Sequence, residues 1–270
     1  MDSFDDDLAQ FAAAGAPPLP ASRREGHIDH DGARIWYAAC GPRGDRVPVV
    51  LLHGGLGHSG NWGYQIPALV AAGHYVVTID SRGHGRSTRD ARPYSYELMA
   101  SDVRAVLDAL RIERAALIGW SDGACTSLIL AAQAPERVAG VFFFGCNMDP
   151  GGAKPFVATP VIDHCFARHV KDYAQLSATP QQFDAFVEAV STMQKTQPNW
   201  SVHELARIRV PVTIAHSEHD EFITREHAEY LARSIPGAQW LGLEGVSHFA
   251  PLQRPALFNG AVQSFLARLV

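Results

Sequence analysis

A serine with a glycine two positions to either side, Gly119-Trp120-Ser121-Asp122-Gly123, is the part of this 270-residue chain best suited to chemistry. The run 115–118 before it is apolar and of strand length, and 124–132 after it is small and apolar at helical spacing. A strand that turns directly into a helix puts the intervening serine on a tight, strained turn. Glycines are needed where a side chain would meet the neighbouring helix or strand. The turn lifts the hydroxyl clear of the sheet end, and the helix N-terminus beneath it favours developing negative charge. This is the geometry of a nucleophile that attacks a carbonyl.

A serine hydroxyl attacks readily only when a base takes its proton and an acid holds the base. Parallel strands end on one crevice, so both partners are sought after later strands. Asp220, in Ser217-Glu218-His219-Asp220-Glu221 after the apolar run 212–216, is the preferred acid. Glu218 and Glu221 bracket it and read as solvent-facing, while Asp149, after the preceding strand, is the alternative acid. The base is His248 in Gly245-Val246-Ser247-His248-Phe249; of 13 histidines it alone lies in a glycine-containing loop after the final strand. The resulting chain order is Ser, Asp, His. A tetrahedral oxyanion needs two N–H donors. One is assigned to Asp122 and the other to Gly55 in His53-Gly54-Gly55-Leu56-Gly57, with Leu56 second because sequence does not fix the loop register.

Leu56, Trp120, Asn147, Met148 and Phe249 are candidates for the substrate pocket, with Phe166 as a further aromatic. The Asp122 carboxylate has two readings: it complements the helix dipole and binds local backbone, or it attracts a cationic group such as the amine of an amino ester. The loop 80–87 reads as a structural turn tied by Asp80 and Arg82. His216 and His219 flank the acid but have no evident third ligand, and a metal there would take the acid from the histidine, so no metal is expected.

These residues must be positioned by strands alternating with helices. Around Asp31-Gly32, the runs 27–30 and 33–38 form a hairpin. Strands are predicted over 47–53, 75–80, 115–119, 140–145, 210–216 and 239–243, and helices over 61–72, 96–110, 121–134, 225–235 and 255–269. That rhythm means βαβ units and a mostly parallel sheet covered on both faces. No strand is evident between 145 and 210, and this polar, aromatic segment reads as helical in places, for example 181–193, which suits a small helical cap. The predicted division is an N-terminal arm over 1–24, a core over 25–147 and 206–270, and a cap over 148–205. The run Ala12-Ala13-Ala14-Gly15-Ala16-Pro17-Pro18-Leu19-Pro20 is expected to break any helix in the arm.

A net charge of −5 without a basic run argues against nucleic acid as a partner. No apolar run approaches the roughly 18 residues that a membrane helix needs. The acidic opening Met1-Asp2-Ser3-Phe4-Asp5-Asp6-Asp7 has no basic segment, so a secretory signal is not expected. Four scattered cysteines without a CxxC pair read as reduced core residues of a cytoplasmic protein. The arm and the cap each offer a surface for a homodimer.

His53-Gly54-Gly55, the run 80–87, the Ser121 turn, the Asp220 loop and Ser247-His248 together resemble the α/β-hydrolase superfamily, in the group of small serine esterases, over about 26–270. The resemblance implies a sheet of about eight strands with helices on both faces and a small helical cap inserted after the sixth strand. It implies a serine hydrolase of a small-molecule carboxylic ester or related acyl compound, such as a thioester or lactone, needing no cofactor. Relatives that dehalogenate or open epoxides carry aspartate at the elbow, which Ser121 argues against. Carbon–carbon bond hydrolases of the fold use serine but usually carry a Gly-Pro-Gly-like run after the His-Gly pair, where this chain has Leu56-Gly57-His58. That activity and a ligand-receptor or signalling role remain the alternatives.

Overall fold

The structure, a computed structural model, describes residues 8–269. The expectation about a secretory signal at the acidic opening 1–7 lies outside the described residues. The described chain starts with a short helix α1 (Ala9–Ala14), contrary to the expectation of none in the arm. It ends at Gly15, whose φ of +77° a side chain rarely adopts. Strands β1 (Arg24–His30) and β2 (Ala33–Cys40) form the hairpin, with His30 opposite Ala33 and positive φ at both Asp31 and Gly32.

The alternating region follows as β3 (Val49–Leu52), α2 (Gln65–Ala71), β4 (Val76–Ile79), α3 (Tyr96–Ala109), β5 (Ala115–Trp120), α4 (Asp122–Gln133) and β6 (Val138–Phe144). Next come three helices with no strand of the sheet among them: α5 (Pro160–Leu176), α6 (Phe183–Thr196) and α7 (Val202–Leu205). The chain then closes with β7 (Val212–His219), α8 (Arg225–Ser234), β8 (Gln239–Ser247), α9 (Ala250–Gln253) and α10 (Pro255–Leu266).

The eight strands lie in the order β1-β2-β4-β3-β5-β6-β7-β8. β2 is antiparallel to both its neighbours and every later pairing is parallel. Alternate residues divide between two cores, as the period of two requires. Val50, Leu52, Leu117 and Phe143 pack towards α3, α4 and α8, whereas Val49, Leu51, Ile118, Phe142 and Phe144 pack towards α2 and α10. Each large apolar side chain buried this way contributes about 1.5–3 kcal/mol.

Two elements depart from expectation. The predicted helix 61–72 is split into a 3-10 turn (Ser59–Trp62) and α2, with Gly63 between them. A Cβ at Gly63 would lie 3.0 Å from Pro17 C, so the arm presses on the core there. Strand β8 runs to Ser247 because its pairing with β7 continues to His219 opposite Ser247. All four cysteines are free and buried. Among the described residues no helix is long and apolar enough to cross a membrane.

Candidate active site

Ser121 stands between β5 and α4 with φ 55° and ψ −123°, a backbone strained for any residue but glycine. Its N–H donates to Phe144 O at 2.8 Å, and its carbonyl accepts from Ala124 N at 2.7 Å. The flanking glycines are explained by contact. A Cβ at Gly119 would lie 2.5 Å from Ala124 Cα, and one at Gly123 would lie 2.5 Å from Leu52 C. The turn therefore closes only if both positions lack a side chain.

β7 and β8 deliver an acid and an imidazole to the same end of the sheet. His248 Nδ1 is 2.9 Å from Asp220 Oδ2, and both side chains are buried. Asp220 Oδ1 accepts the N–H groups of Phe222 and Ile223, each at 2.9 Å, which fixes the carboxylate. Burial would raise the Asp220 pKa, but the His248 charge and these hydrogen bonds hold it below the ordinary value. Burial would likewise depress His248. Asp220 first, then Glu221 and Asp122, outweigh it and hold the imidazole above its ordinary value. Gly145, with φ +62°, makes room for the pair: a Cβ there would be 3.1 Å from His248 Nδ1 and 3.2 Å from Asp220 Oδ2. The imidazole is walled by Phe222 at 4.8 Å and Phe249 at 5.5 Å between ring centroids. Among the described residues no hydrogen bond joins Ser121 Oγ to His248; such bonds often tighten only with substrate.

The other acidic candidates lie elsewhere. Asp149 accepts Gly151 N–H at 2.9 Å and lies 3.6 Å from His227, away from His248. Glu218 is exposed, as predicted, with Gly245 N–H donating to it. Glu221 is not solvent-facing as expected: it is half-buried, and its Oε2 accepts the backbone N–H of His248 at 2.9 Å. Among the described residues no cluster of three or more potential metal ligands is assembled around His216, His219 or elsewhere.

The glycine loop after β3 lies against the serine. A Cβ at Gly54 would be 3.1 Å from Ser121 Cβ, and one at Gly55 would be 2.5 Å from Gln194 Nε2 and 2.7 Å from Asp122 Oδ2. Leu56 has φ 62° and is half-buried. His53 fixes this loop to its neighbour: Nδ1–H donates to Gly54 O at 2.8 Å and Nε2 accepts from Ser81 N at 3.0 Å. Asp80 does the same from the other side, accepting Ser59 N–H at 2.7 Å and Arg86 N–H at 2.8 Å. Arg82 is buried and paired with Asp102 at 2.6 Å, which anchors the 80–87 turn to α3.

Asp122 lies in the first turn of α4, as the dipole reading expects, but its carboxylate bonds to side chains rather than to local backbone and is not open to a cationic group. It is buried, and its acceptors are filled by Tyr96 O–H at 2.8 Å and Gln194 Nε2 at 3.1 Å. Burial raises its pKa, and the bonds from Gln194 and Tyr96 only partly oppose that. Gln194, on α6, was not singled out from sequence; its only signal was membership of a helix in a segment with no motif. Its amide ties α6 to the residue after Ser121. On α5, Asp172 ties that helix to the glycine loop by accepting His58 Nε2–H at 3.1 Å.

Of the pocket candidates, Leu56 borders the glycine loop, and Trp120 and Phe249 stand behind His248, edge to face at 6.0 Å. Met148 is fully buried in the core, and the Asn147 side chain donates to Asp149 O at 2.7 Å. Phe166 is 43% exposed on α5 and packs on Phe183, so it is part of the outer layer.

A family model described as alpha/beta hydrolase fold matches residues 47–192. Rhodomycin D methylesterase DauP of Streptomyces sp. (strain C5) is 27% identical over 275 residues, spanning 83% of this chain and 92% of that protein. The serine hydrolase BPHL of Homo sapiens is 26% identical over 252 residues, spanning 87% of this chain and 84% of that protein. Among solved structures, Est816, described as an N-acyl homoserine lactone degrading enzyme, superposes with a TM-score of 0.70 at 28% identity, covering 89% of this chain and 100% of that one. The chain belongs to the alpha/beta hydrolase fold family, and it is a hydrolase.

Proposed function

We propose that the chain is a serine hydrolase of a carboxylic ester or a related acyl compound such as a lactone or thioester. The observation that carries this reading is the buried His248–Asp220 pair, 2.9 Å apart, delivered to the end of the sheet where Ser121 is held on a strained turn. In this reading Ser121 Oγ attacks the carbonyl while His248 Nε2 takes its proton. Asp220 holds Nδ1–H and so keeps the tautomer that leaves Nε2 free to accept. The helix-start N–H of Asp122, which has no intrahelical acceptor, and the N–H of Gly55 receive the oxyanion. His248 then protonates the leaving alcohol, and a water activated by the same nitrogen cleaves the acyl-enzyme. An ester and a lactone appear in the names of two of the relatives above, which is in keeping with an acyl substrate.

Steady-state turnover of p-nitrophenyl esters from acetate to laurate, by the native chain and by Ser121→Ala, tests the proposal. The native chain is expected to turn over the shorter esters, and the variant to lose about 10⁴-fold or more in kcat. Equal turnover by both would show that Ser121 is not the nucleophile.

A further inference from the structure

Glu221 lies beside the acid, and the chemistry above does not use it. Its Oε2 accepts the His248 backbone N–H at 2.9 Å. The histidine is therefore held by two carboxylates of one loop, at Nδ1 by Asp220 and at its main chain by Glu221. The neighbouring Glu218 holds Gly245 N–H in a similar way, but 52% of its side chain is exposed, so water screens its charge. Glu221 is half-buried, where a charge acts more strongly on its neighbours.

We propose that Glu221 is a positioning residue for His248: a second carboxylate that fixes the backbone of the base and lends negative charge to its imidazolium. The proposal rests on reading His248 as the general base. The charged and titratable groups facing His248 are Asp220 and Glu221 from the loop after β7, His216 from β7, and Asp122 from the start of α4. Lys154, from the segment after β6, donates to Asp220 O at 2.6 Å. Glu221 itself faces His248, Asp220 and, from α5, the Cys165 thiol. Burial raises the Glu221 pKa, and the His248 N–H and imidazolium oppose this. The pair is thus reciprocal: the cation on His248 favours the anion on Glu221, and the anion favours the cation.

Position and charge separate by substitution. Glu221→Gln keeps an oxygen for the His248 N–H and removes the charge, whereas Glu221→Ala removes both. In Glu221→Gln, the His248 titration followed by NMR and the acid limb of kcat/KM are both expected to move to lower pH, by about half a unit or more. In Glu221→Ala, kcat is expected to fall about tenfold with little change in KM. Thermal midpoints and circular dichroism establish that each variant is folded. The proposal is overturned if the His248 titration in folded Glu221→Gln is unmoved. It is also overturned if Glu221→Ala retains kcat within twofold. His248→Ala in the same assay keeps the two ideas apart. Retained activity in that variant would remove the general base, while the NMR titration would still report whether Glu221 acts on the imidazole.

Discussion

A carboxylate immediately after a nucleophile opposes an oxyanion unless something offsets it. At Asp122 the offset is local: burial disfavours the charged form, while the Tyr96 hydroxyl and the Gln194 amide spread what charge remains and occupy the oxygens a cationic substrate would need. Asp122→Asn is therefore expected to lower activity equally on neutral and amino-bearing esters. It should also destabilise the fold by about 1–3 kcal/mol, because one donor loses its acceptor. A loss confined to amino esters would show instead that the carboxylate is open to substrate. At this scale the sequence was legible where a motif forces geometry. The strained turn marked Ser121, and position after the last two strands marked Asp220 and His248. Glu221, Gln194 and Tyr96 were not legible. Their partners lie 27, 72 and 26 residues away, and nothing local signals a contact across such a distance. Gly145 is a middle case. Its place at the end of a strand was visible, but its reason, room for the His248–Asp220 pair, needs three strands assembled.

At the scale of elements, the alternation of apolar runs with helical runs carried the parallel sheet, and Asp31-Gly32 carried the hairpin. Helix α5 falls within the segment read as a helical cap but without a range of its own, although it is signed at its start. Thr159 caps it by accepting Ile162 N–H, Pro160 occupies its first turn, and Asp163 follows in that turn. Helix α1 was missed. Its six residues are too few to be stable alone, and it persists because Phe11 is buried and because Lys171 on α5 donates to Ala12 O at 3.0 Å. The helices between β6 and β7 are in turn tied to the core at two places beside the candidate site, Gln194 to Asp122 and Asp172 to His58. Strand β8 outran its predicted end because partner pairing, rather than its own half-exposed sequence, sustains it.

The whole molecule carries a pH signature from histidines that the chemistry does not use. His53, His84 and His169 are buried, and burial depresses them to about 4, 3 and 4 from an ordinary 6.5. They stay neutral in the fold and accept protons when it opens, so the unfolded chain binds more protons between these values. Stability is then complete above about pH 6.5 and is lost progressively as pH falls towards 4. His248 has the opposite sign: its raised pKa adds stability below the ordinary value that is lost as pH rises. Burial also lowers His216 and His227, so one such group against five leaves the acid side weaker. Thermal denaturation is expected to show a midpoint at least about 5 °C lower at pH 5 than at pH 7.5. A flat profile would mean that these rings are protonated or solvated in the fold.

Covalent capture tests whether Ser121 is an activated nucleophile without knowledge of the natural substrate. The native chain would be treated with a fluorophosphonate and its adduct located by peptide mass spectrometry. A single adduct on Ser121, formed far more slowly in His248→Ala, is the predicted result. An unmodified Ser121 in folded native protein, or an adduct on another residue, would show that Ser121 is not the activated nucleophile.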